Sequence, residues 1–243
     1  MQEGCSFPYV TRNLSSMTAS FVERLSGVVH DLEQVPYRTG ERDAHQGHGL
    51  RDSALGAAAS DAPAHEIEIS GLEVLVGLWP DAKDGHGSWL GGGTVVGIGP
   101  RPATVVAGYA DLLFVSTEGV RRTYYRLLTV DHPDPDVATV RLLECVKEVR
   151  PGWRSTWADT TTAYTRVSRL PTGVRIAMGL DTAEGLASTR RSLDGVLAGL
   201  SLEAEGVLRV TPAHMARQLG TLRGRGWPLT LGTVRRLAFR SAR

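Results

Sequence analysis

The sequence predicts an α+β fold: an antiparallel meander of about six or seven strands, covered by an N-terminal and a C-terminal amphipathic helix and followed by a C-terminal helical hairpin. Three observations predict it. Apolar residues recur at helical spacing on both sides of the central region, that region is a series of β-rich runs, and the runs are joined by short turn-forming segments.

From Met17 to Leu32 the residues Met17, Phe21, Leu25, Val28, Val29 and Leu32 fall on one helical face, with Ser16 as N-cap and Pro36 beyond the end. Met17 also reads as a candidate start codon. Residues 1–37 are therefore expected to be an N-terminal segment and amphipathic helix. Residues 38–65 hold only Leu50 and Leu55 as large apolar residues and are expected to be a flexible linker or long loop.

An α+β sheet domain is expected over residues 66–205. Its β-rich runs are 66–79, 94–99, 103–117, 124–130, 137–149, 161–167 and 173–180, separated by PDAKDGHG, GPRP, TEG, DHPDPD, RPGW and LPTG. Connections this short favour antiparallel neighbours, because a parallel crossover needs a dozen or more residues. The run 137–149 also satisfies helical spacing through Leu142, Leu143, Val146 and Val149. Asp181–Leu200 reads as a helix with the spacing of a capping box at Asp181 and Glu184.

The 243 residues are 42% hydrophobic and 22% charged, an ordinary globular composition with enough apolar residues for a sizeable core. Lys83 and Lys147 are the only lysines beside 25 arginines, as a high-GC bacterial genome produces, so arginine is not by itself a sign of selection for guanidinium chemistry. Cys5 and Cys145 form neither a disulfide framework nor a close metal motif. With no leader-like segment and no long apolar run, a soluble cytoplasmic protein without membrane contact is expected.

Local chemistry is sparse. Glu41, Asp43, His45, His48 and Asp52 gather in GERDAHQGHGLRD, but Gly47 and Gly49 argue against the helix that would align the imidazoles. WLGGGTVVGIGP lacks both the dinucleotide and the P-loop glycine patterns, and reads as a turn feeding a strand in which Gly97 permits a bulge or close packing. Asp131, Asp134 and Asp136 in DHPDPD fit Asx-turn chemistry better than a calcium loop. No G-x-S-x-G is present and neither cysteine carries a catalytic signature. No cofactor, metal or catalytic residue is assigned. Trp153, Trp157 and Tyr164 are candidate lining of a pocket for a small apolar ligand.

Charge is unevenly distributed. Residues 206–243 carry eight arginines and no acidic residue, so a net charge of +1 for the whole chain leaves 1 − 8 = −7 for residues 1–205. Thr211 as N-cap, Pro212 at the first helical position and Met215, Leu219 and Leu222 predict one helix, and Thr230 caps a second. MARQLG followed by TLGTVRRLA resembles a helix-turn-helix, which implies Thr230, Thr233, Arg235 and Arg236 near DNA. Nine residues separate the two segments, where that motif has three or four.

The leading expectation is a non-enzymatic binding or regulatory protein. Its basic C-terminal segment, through Arg217, Arg223, Arg225, Thr230, Thr233, Arg235, Arg236 and Arg240, would engage an anionic partner, either nucleic acid or an acidic protein surface. The alternatives are a small-molecule-binding domain with an aromatic-lined pocket and an enzyme whose active site has no sequence motif.

Overall fold

The computed structural model describes residues 17–36, 49–77, 86–115, 119–134, 137–149, 158–171, 200–221 and 223–224. The strands are β1 (Met17–Pro36), β2 (Ala64–Gly77), β3 (His86–Gly91), β4 (Thr94–Val96), β5 (Ala103–Val115), β6 (Arg121–Val130), β7 (Val140–Val149), β8 (Thr162–Leu170), β9 (Ser201–Arg209) and β10 (Arg223–Gly224). Two helices, α1 (Leu50–Ala58) and α2 (Pro212–Thr221), and a helical turn at 158–161 complete the described residues.

Every pairing is antiparallel, strands adjacent in sequence pair except β3 with β4 and β9 with β10, and β1 pairs with both β2 and β9. β3 and β4 share one position between β2 and β5, so the result is a closed eight-stranded up-and-down barrel. This corrects the expected α+β sheet covered by helices. The meander was legible in the turns; its closure was not, because the strand that closes it reads as a helix.

That strand is β1. Phe21, Leu25 and Val29 are four residues apart, a spacing that satisfies a helical face and the period of two of a strand equally. In the barrel Leu25 and Val29 point into the core, while Val22 and Val28 on the opposite face are exposed. Pairing along both edges of a 20-residue segment decides in favour of the strand. Gly27 and Gly206 allow it: a Cβ on Gly206 would lie 2.2 Å from the Val28 carbonyl oxygen, and one on Gly27 2.1 Å from that of Val207.

The interior is filled by apolar residues from all the staves, including Leu25, Ile67, Val74, Leu90, Val105, Leu127, Leu143, Val167 and Leu208. An eight-stranded barrel is just wide enough for its own side chains to fill. One ion pair crosses this interior: the Lys147 ammonium donates to Glu23 and, at 3.3 Å, to the Tyr125 hydroxyl. Burial, and then the Glu23 charge, push the Tyr125 phenol well above its ordinary range.

The outer wall over β5–β9 is also buried, and it carries a row of directly facing residues: Tyr109, Arg126, Glu144, Arg166 and Glu205. Arg126 contacts Glu144 at 3.0 Å and Arg166 contacts Glu205 at 2.5 Å. Burial opposes ionisation of Glu144, but Arg126, the Tyr124 hydroxyl and Arg166 outweigh it and hold its carboxyl below the ordinary range. Helix α1 lies on this wall against β9, β8 and β1. It forms within the stretch expected to be a linker, because Leu50, Ala54 and Ala57 give it a buried face, and Ser53 donates to Glu205.

Other local expectations are met in detail. The run 137–149, compatible with either structure, is strand from Val140. Gly97 has φ +94° where its Cα passes Glu66 of β2. The Thr211 hydroxyl accepts the His214 amide at 3.2 Å and caps α2. The expected helix at 181–200 and the second tail helix lie outside the described residues. β3 and β9 were not anticipated: His86–Gly91 reads as turn, and Ser201–Arg209 alternates polar and apolar too briefly to stand out from its surroundings.

Candidate functional site

The two ends of the barrel differ. Near one, Met215 of α2 packs with Phe21, Val76 and Leu112 against the apolar interior, and the Thr221 hydroxyl accepts the Val22 amide at 2.9 Å. At the other, the ends of β1 and β8 and the starts of β2, β7 and β9 surround a cleft of about 300 Å³. Its apolar lining is Leu32, Ile98, Val167 and Ala204, and its polar lining is Asp31, His65, Arg141 and Glu203. The size is at the lower limit of small-molecule pockets, and the mixture of an apolar floor with a few converging polar groups is typical of them.

Arg141 is the central group. Its side chain is only 9% exposed, its Nε donates to Glu203 at 2.6 Å, and its Nη1 lies 3.6 Å from Asp131. At that distance Nη1 makes no hydrogen bond to Asp131, and among the described residues it has no other hydrogen-bond partner. Asp131 is fixed from behind by the Thr139 amide, which donates to its Oδ1 at 2.6 Å. Burial works against the Asp131 charge, but the Thr139 hydrogen bonds and Arg141 prevail and lower its carboxyl below the usual range. The Thr139 bond closes the DHPDPD loop across eight residues, which is not the expected Asx turn, and Asp131 positions the arginine.

Across the cleft, His65 Nδ1 is 3.4 Å from Asp31, whose side chain is 52% exposed. Glu203 also holds Arg169 at 3.9 Å. Leaving His65 aside, Asp31, Asp131 and Glu203 against Arg141 and Arg169 give 2 − 3 = −1 around the mouth. The chemistry offered is therefore a sheltered, charge-paired guanidinium, one exposed carboxylate at Asp31 and an imidazole beside apolar side chains.

None of these residues was singled out from sequence as part of a pocket. Arg141 and Glu203 are 62 positions apart and Asp31 is farther still, so only barrel closure unites them. The one local signal is a charge within a buried run, Arg141 in VATVRLLECV. Of the proposed pocket aromatics, Tyr164 is on the outer wall with Leu50, Phe114, Tyr124 and Val146, under the Arg51 guanidinium at 5.8 Å. Trp153 and Trp157 lie outside the described residues.

Among the residues expected to meet an anionic partner, Arg217 is exposed on α2 and Arg223 is in β10, paired with Ser20. Arg225, Thr230, Thr233, Arg235, Arg236 and Arg240 lie outside the described residues. So do Glu41, Asp43, His45, His48 and Asp136, while Asp52 is exposed on α1. Among the described residues no group of three His, Cys, Asp or Glu side chains has the arrangement to hold a metal, and no helix is long and apolar enough to cross a membrane. Cys145 faces the core, where burial pushes its thiol up to about 12, far from the range of a reactive thiolate. No protein-family model matches the chain, and no curated protein or solved structure is similar to it.

Proposed function

We propose that this chain is a small-molecule-binding protein and that the mouth cleft is its binding site. One observation carries the reading: a nearly buried, charge-paired arginine lines a cleft together with Leu32, Ile98, Val167 and Ala204. An apolar lining with a few converging polar groups is what orients a small ligand in such a cleft. The buried, free Cys145 fits a cytoplasmic setting.

Leu32→Trp tests this, since Leu32 is only partly buried and its indole would occupy the cleft. A fragment that binds the unaltered protein at tenfold its Kd is expected to raise Tm by about 3–5 °C. The same fragment should leave Leu32→Trp unmoved. An equal rise in both proteins would place the binding elsewhere and remove the cleft from the account.

A second reading, engagement of an anionic partner by the C-terminal segment, is supported by Arg217. Met215 packs α2 onto the barrel while Arg217 stays exposed, at the start of a stretch of seven arginines without acids. Salt-dependent retention on heparin that disappears on deleting residues 225–243 is the expected result. Retention unchanged by the deletion would end it.

A further inference from the structure

The mouth fixes the charge of its ligand as well as offering a cavity. Resting on the reading of the cleft as a ligand site, we infer that it takes a primary ammonium carried on a compact apolar body, with Asp31 as the counter-ion.

Strand register supplies the geometry. Asp31 of β1 faces Ala204 of β9, and Ala204 faces Val167 of β8, so a carboxylate and two apolar side chains stand in one row across three strands. All three line the cleft, and Leu32 and Ile98 complete its apolar lining. Neighbouring strands are about 5 Å apart, so an ammonium at Asp31 sets its body over Ala204 and Val167, about 5–10 Å away.

Charge decides the class of head group. Asp31 is 52% exposed, and its one ion-pair contact among the described residues is His65 at 3.4 Å, which leaves the carboxylate open to a ligand donor. Glu203 is the second carboxylate of the lining, and its Oε1 lies 3.9 Å from Arg169, too far for a hydrogen bond. Arg141 is withdrawn from the opening. Its Nε is engaged by Glu203, its Nη1 is sealed from solvent, and an added Cβ on Gly99 would lie 3.2 Å from that nitrogen. His65 aside, the lining therefore sets two carboxylates against one sheltered guanidinium. A carboxylate or phosphate would meet like charge with no open cation to receive it. A neutral head would bring no charge to Asp31, whereas an ammonium brings a charge and three donors.

Three probes of nearly one shape separate the classes at pH 7: 2-phenylethylammonium, phenylacetate and 2-phenylethanol. Each is titrated by NMR against the full chain, following the methyl groups of Leu32, Ile98, Val167 and Ala204. The ammonium is expected to bind tightest, to weaken about tenfold in Asp31→Asn and to weaken as sodium chloride is raised. Phenylethanol is expected to bind both proteins equally, which shows the cleft intact in the variant. Phenylacetate or phenylethanol binding as tightly as the ammonium would overturn the charge assignment while leaving the cleft a ligand site. So would an ammonium affinity unchanged in Asp31→Asn, or a loss there shared equally by phenylethanol. Methyl groups unmoved by all three probes up to their solubility would overturn the ligand-site reading itself.

Discussion

Glu23 and Lys147 show how much one residue can weigh in this barrel. They come from strands that are not neighbours, meet in an apolar interior and are held by the Tyr125 hydroxyl. A buried pair of this kind adds little net stability, yet removing one partner strands the other charge away from water. Glu23→Ala is therefore expected to destabilise the fold by about 3–5 kcal/mol in urea denaturation, whereas Glu23→Leu combined with Lys147→Met recovers most of the loss. Equal losses in the single and double variants would refute the stranded-charge explanation. Asp131 gives a pH signature. Its folded-state pKa is depressed, so its contribution is fully present above the unfolded value of about 3.9 and disappears as pH falls through the lower folded value. Asp131→Asn should cost about 1–2 kcal/mol near neutrality, with the gap to the unaltered protein closing below about pH 4. A gap that widens in acid would contradict the assigned cause. Neither role is visible in the sequence, where Glu23 sits in an apparent helix and Asp131 is one of three aspartates in a turn.

At the scale of elements, what could be read depended on whether a segment's pattern had one solution or two. β2 and β5–β8 alternate or run apolar between Pro- and Gly-rich turns, and the sequence expectation found them within a few residues. The Met17–Leu32 pattern has two solutions, since a four-residue repeat lies on one face of a helix and of a strand. Only its partners β2 and β9 break the tie. Charges inside β6–β9 belong to a cross-strand order that a linear reading cannot show. Arg126, Glu144, Arg166 and Glu205 alternate in sign across four strands because the register aligns them, and Ser53 of α1 joins the last. Glu144→Leu would remove the central carboxylate and is expected to cost about 3–5 kcal/mol by chemical denaturation. Glu68→Leu, which breaks the half-exposed Arg24–Glu68 pair on β1 and β2, is expected to cost less than about 1 kcal/mol. Comparable losses at the two positions would mean that the outer wall over β5–β9 is not sheltered from solvent.

For the whole molecule, closure is what turns separate strand ends into a site. Asp31 and Leu32 come from the end of β1, His65 from the start of β2, and Arg141 and Glu203 from the starts of β7 and β9. Without β1 as a strand between β2 and β9 there is neither a barrel nor a cleft wall, and the candidate site was invisible in the sequence for this reason alone. The basic segment, in contrast, announces itself by composition, and its first helix docks as its caps and apolar spacing foretell. The most direct test is therefore backbone NMR of residues 17–36 in the intact protein. Residues 26–30 should give cross-strand contacts on both sides, with Gly27 near both Ile67 and Leu208 and Val29 near both His65 and Gly206. A continuous series of contacts between residues three apart along Met17–Leu32, with no contact to β9, would establish a helix there and contradict the barrel and its mouth together.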